Sequence, residues 1–140
     1  MPMNSLPLFF RITGIAIGIQ LVLGGLLTFD FISPAPHIIF GFVVFLLAII
    51  TLIISFMVKP GFKPAKMMSV GLVILLVIQI ALGFWSLDTN NALIAFFHFL
   101  NALLIFGLAV SGTVIIAMWN RTGAQTLSGA KKEKTKTQVD

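Results

Sequence analysis

Four uninterrupted apolar segments govern what this chain can become. They cover about residues 12–29, 37–58, 67–87 and 92–119, and none contains a charged side chain. A helix crossing the hydrocarbon core of a bilayer needs roughly 20 such residues. The chain has 140 residues, 59% of them hydrophobic and 9% charged, with a mean hydropathy of +1.11. A soluble interior of that size is too small to hide so much apolar side chain. The expectation is an all-α integral membrane protein. Its domain is an antiparallel four-transmembrane-helix bundle in residues 1–119, followed by a basic, disordered cytoplasmic tail at 120–140.

The first segment follows Arg11 and has the outline of a secretory signal. Its apolar run is too long for one, and its small-residue exit, Ser33-Pro34-Ala35-Pro36, puts proline where cleavage would fall, so it reads as a retained helix. The absence of cysteine excludes disulfides, thiolate metal sites and covalent c-type haem attachment.

Charge sets the expected orientation. Lys59, Lys63 and Lys66 lie between the second and third segments, and Arg11, Arg121 and the KKEKTK run flank the bundle on the same side. The connections at 30–36 and 88–91 carry no Lys or Arg, only Asp30 and Asp88. The positive-inside rule then puts both termini in the cytoplasm of a cell-membrane protein. Trp85 and Trp119 fit interfacial anchoring at opposite ends. The net charge of +5 reports topology and contact with anionic lipid, with no nucleic-acid partner expected.

The two halves rhyme. IQLVLGG from Ile19 and IQIALGF from Ile78 each give Gln-x-x-x-Gly, as Gln20 with Gly24 and Gln79 with Gly83. Each half then leaves its helix, turns and presents a histidine, His37 or His98. Gly41 and Ala102 follow four residues after the histidines, and Ala48 and Ala109 follow eleven after, all on one helical face. The pattern reads as a duplicated helix hairpin whose second and fourth helices carry the histidines. Those helices can oppose each other diagonally across a four-helix core. Counted from the expected caps, Ser33 and Asn91, His37 lies about one turn shallower than His98, or ~5 Å, so tilt or offset must bring the rings level.

Ionisable residues inside a membrane span are functional candidates, and imidazole is a metal ligand. Two imidazoles facing across small residues suit one flat cofactor, and haem b with His37 and His98 as axial metal ligands is the leading candidate. Gly41 and Ala102 would shape its slot, and Gln20 and Gln79 flank it. Bridging between helices is the simpler role for both glutamines and for Asn101, as close packing is for Gly14-x-x-x-Gly18. The outer face offers no Lys or Arg to pair with haem propionates.

Gln-x-x-x-Gly late in one helix, then a histidine early in the next, twice over, resembles one four-helix half of the haem A synthase family. Small four-helix membrane proteins with an H-x-x-N-A-L-L stretch, like His98 to Leu104 here, are similar too. The resemblance covers about residues 8–119. It implies that His37 and His98 are the axial ligands. In the family's catalytic half a glutamate precedes a ligand histidine by about one turn, whereas the matching positions here hold Pro34 and Ala95. The single glutamate of the chain is Glu133, in the tail. The resemblance therefore points to a haem-binding protein in electron transfer or oxidase assembly, partnering respiratory-complex subunits. A compact haem A synthase enzyme working as a homodimer, and a haem-free membrane subunit or assembly factor, are the alternatives.

Overall fold

The computed structural model describes residues 5–57 and 63–137, with side chains described over 6–57 and 63–119. Four helices fill them: α1 (Ser5–Thr28), α2 (Pro34–Met57), α3 (Lys63–Thr89) and α4 (Ala92–Thr137). Each is long and apolar enough to cross a membrane. Helices α1 and α3 start earlier than the apolar runs suggest, at Ser5 and Lys63 rather than near residues 12 and 67. Polarity ends a lipid-compatible run without ending a helix. Pro7 and Pro64 fall in the first turns, where their missing N–H groups have no helical acceptor to lose.

At its far end α4 is helical through Thr137, where composition predicts a disordered tail from residue 120. Ala, Gln, Leu, Lys and Glu, all good helix formers, make up half of residues 120–137, so local propensity is compatible with a continued helix. Lys59 and residues 138–140 lie outside the described residues.

The two turns that lead into the histidines are built alike. Asp30, at φ 59°, ends α1 in a left-handed conformation. Its N–H reaches the Leu27 carbonyl at 3.1 Å and the Phe31 N–H reaches Leu26 at 2.9 Å, the paired bonds of a Schellman cap. Asn90, at φ 49°, ends α3 the same way with a single bond to Ser86 at 2.9 Å. Aspartate and asparagine tolerate this conformation better than other non-glycine residues. The next helix starts at once: Asn91 Oδ1 accepts the Leu93 N–H at 2.9 Å as an N-cap, and α2 begins at Pro34 directly after Ser33.

The helices pack in a ring, α1 against α2, α2 against α3, α3 against α4 and α4 against α1. Helices α2 and α4 are therefore diagonal partners, as are α1 and α3. Gly14 and Gly18 turn towards Ala109 and Phe106 of α4, giving that seam its close approach. The interior is layered. A central apolar layer takes two residues from each helix: Ala16 and Ile17, Val44 and Ala48, Leu72 and Leu76, Ile105 and Ala109. Towards the N-terminus of α1 lie two buried hydroxyl pairs, Thr13 with Thr51 at 2.9 Å and Ser55 with Ser69 at 2.7 Å. Beyond them a second apolar cluster joins Leu6, Phe10, Ile54, Ala65 and Ile116. On the opposite side of the central layer is a polar layer containing both histidines.

The outward faces are apolar as well. Ile15, Val22, Ile39, Leu46, Ile74, Leu93 and Leu104 are all exposed. Monomeric soluble proteins rarely show such continuous apolar surface. A helical bundle with apolar surfaces on both sides fits a membrane protein.

Candidate functional site

The polar layer is assembled from residues late in α1 and α3 and early in α2 and α4. His37 and His98 meet across the bundle, with ring centres 6.2 Å apart and planes at 68°. The one-turn offset expected from the helix caps is thus absorbed by the packing. Each ring lies against a glycine of the preceding helix. A Cβ added at Gly24 would stand 3.2 Å from His37 Cε1, and one at Gly83 would stand 3.0 Å from His98 Cε1. Either distance is tighter than ordinary van der Waals contact, so the absence of a side chain at these positions makes room for the imidazoles.

Around His98 the hydrogen bonding is closed. His98 Nδ1 lies 3.1 Å from the Gln79 carbonyl, an acceptor, so this nitrogen carries the proton. His98 Nε2 then accepts from Gln79 Nε2 at 3.2 Å. Asn101, one turn after the histidine and buried, donates to Gln79 Oε1 at 2.7 Å and to the Leu75 carbonyl at 3.0 Å. Every polar atom of the Gln79 and Asn101 donor groups thereby has a use, and the glutamine is held in one orientation.

His37 is held differently. Gln20 Nε2 donates to the His37 carbonyl at 2.9 Å and lies 3.3 Å and 3.4 Å from the two ring nitrogens. The Gln20 amide fits because residue 41 is glycine; a Cβ there would stand 3.0 Å from Gln20 Nε2. Gln20 Oε1 is buried with no hydrogen-bond partner. The residue placed like Asn101, three after the histidine, is Phe40, which packs against the central apolar layer.

The site residues expected from sequence therefore gather in one layer, with distinct parts. Gln20 and Gln79 bridge neighbouring helices and touch the histidines, and Gly41 gives its space to Gln20. Ala102 follows on the α4 face that carries His98 and Asn101, partly buried. The ring-supporting role of Gly24 and Gly83 was visible in the sequence only as half of a repeated motif. The difference between Asn101 and Phe40 was visible only as unlike letters at matching positions.

Comparison with protein-family profiles, curated proteins and solved structures finds no match. The chemistry of the site must be argued from its own residues. Among the described residues no group of three or more His, Cys, Asp or Glu side chains gathers to hold a metal ion. The donor set is the two imidazoles alone. Two imidazoles ligating one metal on opposite sides place their ring centres about 6 Å apart, given metal–nitrogen bonds of roughly 2 Å. The observed 6.2 Å fits that separation. The Nδ1–H bond from His98 to a backbone carbonyl is the arrangement that orients ligating histidines, and Nε2 would reach a metal only by giving up its 3.2 Å bond from Gln79 Nε2.

Proposed function

We propose that this chain is a membrane-embedded haem b protein of electron transfer or oxidase assembly, in which His37 and His98 hold one haem iron. The observation that carries the reading is the pair of imidazoles, 6.2 Å apart, brought together by diagonally opposed helices in an otherwise apolar bundle. Intramembrane histidines pointing into a bundle rather than at lipid mark functional sites. Bound there, haem would supply one-electron redox chemistry. The chain's own residues do the rest: Gly24 and Gly83 admit the rings, Gln79 and Asn101 orient His98, and the central layer from Ala16 to Ala109 keeps water from the other end.

The topology proposed with it is an antiparallel bundle in the cell membrane. Arg11, Lys63 and Lys66 mark the cytoplasmic end, and the Asp30 and Asp88 turns mark the outer end beside the histidines. The likeness to a half of haem A synthase belongs to this proposal. It favours the haem-holding half, because no carboxylate lies within the four apolar segments to serve as an acid or base.

The test is a reduced-minus-oxidised spectrum of protein purified in detergent from haem-replete cells. Sharp Soret and alpha bands typical of a six-coordinate haem with two histidines are expected. A folded, colourless protein would leave the histidines as helix-bridging groups of a haem-free subunit.

A further inference from the structure

We infer that the corner where α2 ends and α3 begins is a binding site for one anionic phospholipid, whose phosphate is held by Lys63 and Lys66. The site belongs to the inner end of the membrane topology proposed above, on which it rests, and the haem plays no part in it.

This end of the bundle carries positive charge that the protein does not neutralise. Lys63 is exposed and Lys66 half-buried, and their spacing puts them on one face of α3. Among the described side chains the carboxylates are Asp30 and Asp88, both in the turns at the histidine end. Asp88 stands about six turns beyond Lys66 on α3, or ~33 Å away. A Debye length of about 8 Å in physiological salt screens attraction over such a span. The first turn of α3 holds no acidic residue, and the helix adds the positive end of its dipole there.

What separates these lysines from a general positive surface is how Lys66 is held. Its ammonium sits 5.4 Å from the centre of the Phe56 ring on α2, a cation–π contact that keeps it at the seam between the two helices. An ammonium has three donors, and the ring covers one side of it, so N–H groups remain for phosphate oxygens. Ile53, Phe56, Met57 and Met67 beside it are all more than half exposed and give acyl chains an apolar bed. Basic pockets between transmembrane helices at the cytoplasmic side are where anionic headgroups bind. Arg11 projects from α1, diagonally across the bundle from α3, and belongs to a different face.

Phosphatidylglycerol is the probe. Native mass spectrometry of the full-length protein in neutral detergent should show one phosphatidylglycerol bound at least about fivefold more tightly than phosphatidylcholine of the same acyl chains. Lys66→Ala should remove about fivefold of that affinity and the double variant Lys63→Ala with Lys66→Ala more than about tenfold, while Lys66→Arg should keep it. Phe56→Leu, which retains the apolar surface, should weaken binding about two- to fivefold. Arg11→Gln, and the tail pair Lys131→Gln with Lys132→Gln, should leave the first phosphatidylglycerol in place. Equal affinity for the two lipids overturns the inference. So does an effect of Arg11→Gln or of the tail pair as large as that of Lys66→Ala, which would spread the attraction over the whole surface. Displacement of the lipid by inorganic phosphate alone would make the ligand a free anion and overturn it as well. A colourless protein that keeps the lipid and its dependence on Lys66 loses the haem reading and supports the lipid site.

Discussion

The two ends of the bundle treat the internal repeat differently. At the histidine end three matching positions of the halves hold the same residues, Gln20 and Gln79, Gly24 and Gly83, His37 and His98, although Phe40 and Asn101 differ beside them. At the other end the same register pairs unlike residues. Ser55 and Ser69 join α2 to α3 through their hydroxyls at 2.7 Å. Their counterparts, Ile116 and Phe10, meet in an apolar cluster between α4 and α1. Thr13 and Thr51 bond at 2.9 Å, while their counterparts are Leu72 and Gly112. Filling space between helices has many solutions, because cores accept varied residues when volume is kept. Bringing two imidazoles to a shared distance has few. The retained half of the repeat is therefore the part that specifies geometry.

If the ends are independent in this sense, damage at one should leave the other unmoved. The largest effect expected is from Phe10→Ala. Phe10 is 1% exposed, and its ring fills the space that glycine leaves at position 112, where a Cβ would fall 2.6 Å from Phe10 Cε1. Loss of the ring should cost about 3–5 kcal/mol in unfolding titrations in detergent; under the haem proposal, the spectrum of the folded fraction should stay unchanged. A folded Phe10→Ala protein with a shifted Soret band would show that the ends are coupled.

The complementary break is at the histidine end. Gly83→Ala places a methyl group 3.0 Å from His98 Cε1, and Gly24→Ala places one 3.2 Å from His37 Cε1. Each should cost about 1–3 kcal/mol as the rings are pushed off their beds. Under the haem proposal the optical spectrum should move here, and further for Gly83→Ala, because His98 has less freedom to yield. Equal stability loss with an unmoved spectrum would remove the glycines from the site and return them to general packing.

What could be read from sequence follows the same division. The four helices were legible because charge-free runs of membrane length are hard to satisfy otherwise. The meeting of His37 with His98 was legible because the repeat set both on one face of alternate helices. The ends of α1 and α3 were not, since Pro7 and Pro64 resemble boundaries yet sit inside first turns. Nor was the course of α4, whose polar residues satisfy helix propensity as well as disorder composition. The unequal support of the two histidines stayed hidden because it depends on a side-chain hydrogen bond, Asn101 to Gln79, made across the turn between α3 and α4 and set by packing rather than by any local pattern. The hydroxyl pairs gave no signal at all: serine and threonine in apolar helices ordinarily bond to their own backbone, as Thr113 does to Ala109 at 3.0 Å.

That habit supplies the smallest and most discriminating prediction. Thr51 donates its hydroxyl proton to the Leu47 carbonyl at 2.8 Å, so in the 2.9 Å contact it must accept from Thr13. The two threonines are therefore not equivalent. Thr13→Val removes a donor, and the Thr51 hydroxyl keeps its backbone bond. Thr51→Val strips Thr13 of its acceptor inside a fully buried seam, leaving a donor unpaired. Thr51→Val should therefore destabilise more than Thr13→Val, and the double variant should recover part of the difference. Interhelical side-chain bonds in membrane bundles average about 0.6 kcal/mol, and a coupling of that size is expected from the double-mutant cycle. The matching positions of the other half, Leu72 and Gly112, carry no hydroxyl, so two well-packed valines should be tolerated. A coupling several times larger would mean that the hydroxyl pair constrains the bundle as the histidines do, and the contrast between the ends would fail.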